Sequence, residues 1–103
     1  MSIRSPFQPQ RGSGQKVTAT TTSAAITIGR GCKSIRACNT GSVPAYFVTY
    51  RAADGAITAS AAQTMVRAGE SLVIEKDGDH DTLAHVADST TAVLHFQAGE
   101  GGL

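Results

Sequence analysis

His80, His85 and His95 are the residues whose types suit acid–base or metal chemistry, and Asp77, Asp79 and Asp81 stand beside the first of them. Histidines and carboxylates together form a ligand set for a divalent metal. Asp77-x-Asp79-x-Asp81 also has the opening of a calcium loop, but that loop requires glycine at its sixth position and glutamate at its twelfth. Here Gly78 is second and Val86-Ala87-Asp88 fills the tenth to twelfth positions. The stretch therefore reads as a solvated acidic hairpin. His85 and His95 read as outward-facing residues on neighbouring strands, and no metal site is expected. Cys32 and Cys38 have five residues between them, whereas zinc and redox pairs place two to four. On one continuous strand they stand about 20 Å apart, far beyond the roughly 7 Å between Cα atoms that a disulfide tolerates. Two free thiols fit a reducing cytosolic origin. No Gly-x-Ser-x-Gly elbow occurs. Gly29-Arg30-Gly31 lacks the third glycine of a phosphate cradle, and no helix follows Gly99-Glu100-Gly101-Gly102. The expectation is a non-enzymatic protein with no catalytic residues and no cofactor. Tyr46 and Tyr50 share strand parity and would suit sugar stacking if exposed. Val48 lies on the same face, so that face is expected to be buried against a second sheet.

The elements that must position these residues are strands. A chain of 103 residues forms one domain, which buries roughly two-thirds of the surface its unfolded chain exposes. Of its residues 41% are hydrophobic, but many are alanine, five are aromatic and none is tryptophan. The core is expected to be thin, with part of the stability drawn from neighbouring subunits. The net charge of +1 gives no electrostatic footprint for nucleic acid. Arg30, Lys33 and Arg36 read as a solvated strand edge. No apolar run has the length of a membrane helix or the pattern of a cleaved signal, so no membrane partner is expected.

Residues 1–14, rich in Ser, Pro, Gln, Gly and Arg, read as a flexible N-terminal arm, because Pro6, Pro9, Gly12 and Gly14 oppose regular structure. Ile3, Phe7, Pro9 and Arg11 are the arm residues expected to touch a partner. From Gln15 onward Thr, Val, Ile and Ala dominate, as on pleated half-buried surfaces. Strands are predicted over Gln15–Thr20, Ala24–Ile28, Lys33–Cys38, Ala45–Tyr50, Thr64–Arg67, Ser71–Lys76, Thr82–Ala87 and Thr91–Gln97. Turn residues separate most of them, Asn39-Thr40-Gly41-Ser42 being the strongest signal, and Arg51–Ala62 reads as a loop. About eight short strands at this spacing predict an all-β, antiparallel, jelly-roll-like β-sandwich over residues 15–97. Residues 98–103 read as a flexible C-terminal tail. The expected core is Val17, Ile26, Ile28, Ile35, Phe47, Leu72, Ile74, Val86, Leu94 and Phe96.

The order of these features is that of a known class. A Pro/Phe-containing arm precedes a Val-Thr-Ala-Thr-Thr-Thr-Ser-Ala-Ala-Ile strand pair. Ser34-Ile35-Arg36-Ala37-Cys38-Asn39-Thr40-Gly41 and Pro44-Ala45-Tyr46-Phe47-Val48 follow. Then come Ala68-Gly69-Glu70-Ser71-Leu72 and a Leu94-His95-Phe96-Gln97-Ala98-Gly99-Glu100-Gly101 end. Over nearly its whole length the chain resembles small virion-structure proteins of tailed bacteriophages. The resemblance implies a head decoration or cement protein that binds the major capsid protein or other virion proteins as a homo-oligomer. It equally admits a neck or tail component. The implied location is the virion, after synthesis in the host cytoplasm, and the resemblance supplies no catalytic residue.

Overall fold

The computed structural model describes residues 7–9, 14–28 and 30–101. Nine strands follow one another: β1 (Gln8–Pro9), β2 (Gln15–Ala19), β3 (Ala24–Thr27), β4 (Ser34–Asn39), β5 (Ala45–Tyr50), β6 (Thr64–Val66), β7 (Ser71–Glu75), β8 (Thr82–Ala87) and β9 (Ala92–Glu100). The only helical element among the described residues is a single 3-10 turn at Ala52–Asp54.

The pairing is nested. β2 pairs with β9, β3 with β8, β4 with β7 and β5 with β6, every pair antiparallel. The chain is thus one long two-stranded ribbon, closed where β5 leads into β6. The ribbon is wound so that β4 also lies beside β9 and β5 beside β8. Two sheets result, β2-β9-β4-β7 and β3-β8-β5-β6, with β1 added to β9 beyond β2. This is the expected antiparallel β-sandwich.

Each strand alternates between the inter-sheet space and the outside. Ile35 and Ala37 of β4, Leu94, Phe96 and Ala98 of β9, Ala45 and Phe47 of β5, Val66 of β6 and Leu83 of β8 are fully buried and form one cluster. Phe47 and Phe96 meet across the sheets at 5.4 Å between centroids, tilted by 58°. Burying each ring stabilises the fold by roughly 1.5–3 kcal/mol, so these two carry much of a core otherwise built from alanine and branched aliphatics. Val17, Ile26, Leu72 and Ile74 pack against this cluster while staying partly exposed, as residues on edge strands must.

Four expectations change. The tail is not free from residue 98: β9 runs to Glu100, Ala98 is 1% exposed, and Ile35 and Ser34 pair with Ala98 and Gly99. The arm is not wholly separate either, since Gln8 and Pro9 pair with Glu100 and Gly99. His85 faces inward, at 3% exposure, with its ring stacked 6.2 Å from that of Phe96. Val86, its neighbour in sequence, is therefore buried on the opposite face of the sheet, with Tyr50, Ala59 and Ala84. Tyr46, Val48 and Tyr50 share this outer face and do not point at the second sheet.

Charge follows the nesting. Residues 1–53 hold seven cations and no anion, and residues 54–103 hold two cations and eight anions. The ribbon folds the first half against the second, so opposite charges are brought together, as at Arg30 and Asp79, 3.9 Å apart.

Candidate interaction surface

The residues with chemical potential are dispersed. His80 sits in the turn before β8, where its Nδ1 lies 2.9 Å from Thr49 Oγ1. His85 is in the core and His95 is exposed on the outer side of β9. The two strands that carry His85 and His95 belong to different sheets. Among the described residues no three His, Cys, Asp or Glu side chains gather as metal ligands. Cys32 is buried and Cys38 half-buried, both as free thiols. Cys38 Sγ lies 3.2 Å from Ser71 Oγ, across the β4–β7 pair.

The polar end of the sandwich is held by backbone contacts. Lys76 is 4% exposed and its Nζ donates to the carbonyls of Asp77 (3.2 Å) and His80 (3.0 Å). Burial pushes its pKa below the ordinary lysine value, against the attraction of Cys32 and nearby carboxylates. Asp81 accepts from the Ala52 amide (3.0 Å) and the Thr82 hydroxyl (2.9 Å). The Ala52 amide is the main reason its carboxyl sits below the usual carboxylate range, with the Thr82 hydroxyl second. These contacts tie down the ends of the 77–81 and 51–54 turns.

The outer face of the β3-β8-β5-β6 sheet is different in kind. Register places Met65, Tyr46 and Val86 in one cross-strand row and Val48, Ala84 and Ala25 in the next. An outward face of a solvated sheet should be polar, and this one is apolar. The 55–62 segment crosses part of it. Ala59, 5% exposed, packs with Tyr50, Ala84 and Val86, held by its amide donating to Ser23 Oγ at 2.9 Å. Tyr50 lies beneath this cover at 6% exposure, so it offers no stacking platform. Tyr46 and Val48 are half-buried, Met65 is 37% exposed, and Ile57 on the covering segment is 42% exposed. Tyr46 is oriented by its hydroxyl, which donates to Asp88 Oδ1 at 3.1 Å; that bond is the first cause of its raised pKa.

Of the arm residues expected to touch a partner, Ile3 and Arg11 lie outside the described residues. Phe7 is half-buried and Pro9 exposed, the latter within β1. The apolar face was not legible in the sequence, because alternating residues in β5 and β8 are apolar at both parities. The available signal was the apolar run Ala45–Val48 beside a loop long enough to cover only part of a sheet.

No protein-family model matches the chain, and no curated protein does. Among solved structures, a de novo designed double-stranded β-helix is similar at 20% identity and a TM-score of 0.50, covering 84% of this chain and 97% of that one. PirA is similar at 12% identity and a TM-score of 0.53, covering 87% and 95%. At these identities the likeness concerns the fold alone.

Proposed function

We propose that this chain is a non-enzymatic virion structural protein of a tailed bacteriophage, a decoration protein that binds the major capsid shell. The observation that carries the reading is the apolar outer face around Tyr46, Val48 and Met65, with Ile57 exposed on the segment that crosses part of it. Contiguous apolar surface on a small domain marks a macromolecular contact, and a half-buried tyrosine with a fixed hydroxyl suits the centre of one. The dispersal of the three histidines favours binding over chemistry. The sequence resemblance to phage virion proteins supplies the partner class. Phe7, just before the strand added beside β9, and Pro9 within it are a second contact in this reading, with Ile3 and Arg11 extending it. Many weak copies on a shell bind through multivalency.

Electron microscopy of particles assembled without the chain is the test. The expected result is loss of density from the outer shell, with particles that open at lower temperature. Unchanged shell density together with unchanged particle stability would refute the decoration role. Density lost from the neck or tail would move the protein there.

A further inference from the structure

The free edge of β7 matches itself. The amide of Lys76 donates to the Lys33 carbonyl, and that of Asn39 to the Glu70 carbonyl, each at 2.9 Å. The β4–β7 register pairs Ser34 with Glu75, Ile35 with Ile74, Arg36 with Val73, Ala37 with Leu72 and Cys38 with Ser71. In an antiparallel ladder hydrogen-bonded and non-hydrogen-bonded pairs alternate. Leu72 and Ile74 therefore spend their backbone groups on β4. The N–H and C=O groups of Ser71, Val73 and Glu75 point the other way, where β7 is the sheet's edge.

The other edges among the described residues are guarded. β2 presents the exposed Lys16. β3 has its Thr27 carbonyl taken by the Gln15 side-chain amide, and β6 is only three residues long. β7 has five residues, with half-buried Leu72, Val73 and Ile74 between exposed ends. It has no proline and no charge among those three. A strand edge of this kind invites pairing.

We infer that β7 pairs antiparallel with β7 of a second copy, about a two-fold axis through Val73. In that register Val73 meets the partner's Val73, Ser71 meets the partner's Glu75 and Leu72 meets the partner's Ile74. The three outward-pointing residues become the hydrogen-bonded pairs, giving about six new backbone bonds. The Leu72–Ile74 pairs are the non-hydrogen-bonded ones, whose side chains approach most closely, so each copy covers the other's open flank. No like charges stand opposite each other, because Glu75 faces serine. The contact is isologous and closes at two copies. One strand edge buries less than the roughly 1,000 Å² of a stable interface, so the dimer is weak, in the micromolar range. The inference does not depend on the virion reading, and its failure would leave that reading untouched.

Val73→Lys and Val73→Glu test it, since each sets like charges against each other on the axis while an exposed edge tolerates either. Sedimentation of the full chain is expected to give twice the 10.6 kDa chain mass for the wild type. Each variant alone should sediment as one chain, with an unchanged β-type circular dichroism spectrum. An equal mixture of the two variants should recover the doubled mass, because lysine then faces glutamate. A wild type that stays a single chain up to concentrations on the order of 1 mM overturns the inference. So does either variant keeping the wild-type mass, or a mixture that fails to pair. A wild-type dimer lost on removing residues 1–14, but kept in Val73→Lys, assigns the contact to the arm and overturns it as well.

Discussion

Asn39, at 1% exposure, uses both amide hydrogens and one lone pair. Nδ2 donates to the carbonyls of Val43 (2.8 Å) and Val66 (3.0 Å), and Oδ1 accepts from the Gly41 amide (2.9 Å). One side chain thus fixes the β4–β5 turn and pins the end of β6. Gly41 must be glycine for a related reason: a Cβ there would lie 2.9 Å from the Val93 backbone nitrogen. Asn39→Ala removes three hydrogen bonds from a buried position and is expected to cost about 1–3 kcal/mol, read as a lower midpoint in urea. His85 gives a second expectation. Its Nδ1 is buried without a partner, and desolvation lowers its pKa in the folded state. The unfolded chain therefore takes up a proton near pH 6.5 that the folded chain refuses. Stability holds above that value and falls as pH drops below it, by about 1.4 kcal/mol per unit for one proton. His85→Leu is expected to flatten this part of the stability profile in urea titrations between pH 7 and 5. A profile as steep as the wild type's would show that other groups cause the loss.

At the scale of elements, β9 joins the most neighbours: β2 and β1 on one edge and β4 on the other. Its last residues, Ala98–Glu100, hold β1 and the start of β4. Ending the chain at Gln97 is expected to lower the melting temperature by several degrees, since a loss of about 1 kcal/mol shifts a domain of this size by roughly 4–8 °C. An unchanged melting temperature would mean that these pairings add nothing. Most strands were legible in the sequence. Ala45–Tyr50 and Thr82–Ala87 fall where alternation and turn residues place them, and the other predicted strands differ by one residue at one or both ends, apart from the C-terminal end of β9. β9 ran past its predicted end because Ala98-Gly99-Glu100-Gly101 looks like a flexible tail. Alanine and glycine are also what a crowded strand beside Ser34 and Ile35 accepts. The inward turn of His85 was hidden for another reason. In Leu83-Ala84-His85-Val86 both parities are apolar apart from the histidine, so hydrophobicity could not say which face met the second sheet.

For the molecule as a whole, the nested ribbon ties contact order to charge. Residues far apart in sequence must meet before either sheet closes, and folds of this kind form in milliseconds to seconds. A basic first half and an acidic second half draw the two arms of the ribbon together in the unfolded chain. Raising ionic strength from about 0.01 to 0.15 M shortens the screening length from about 30 to 8 Å. Stopped-flow refolding is therefore expected to slow over that range; a rate indifferent to salt would separate the charge pattern from folding. The position of β9 also sets a schedule for synthesis. It is translated after the other eight strands, yet it is the neighbour that β2 and β4 share. Until residue 92 is translated the first sheet has no centre, and the nascent chain carries its apolar strands unassembled. The sandwich can therefore close only once β9 has emerged. The exposed edge of β7 is at greatest risk of pairing with the wrong chain in that interval.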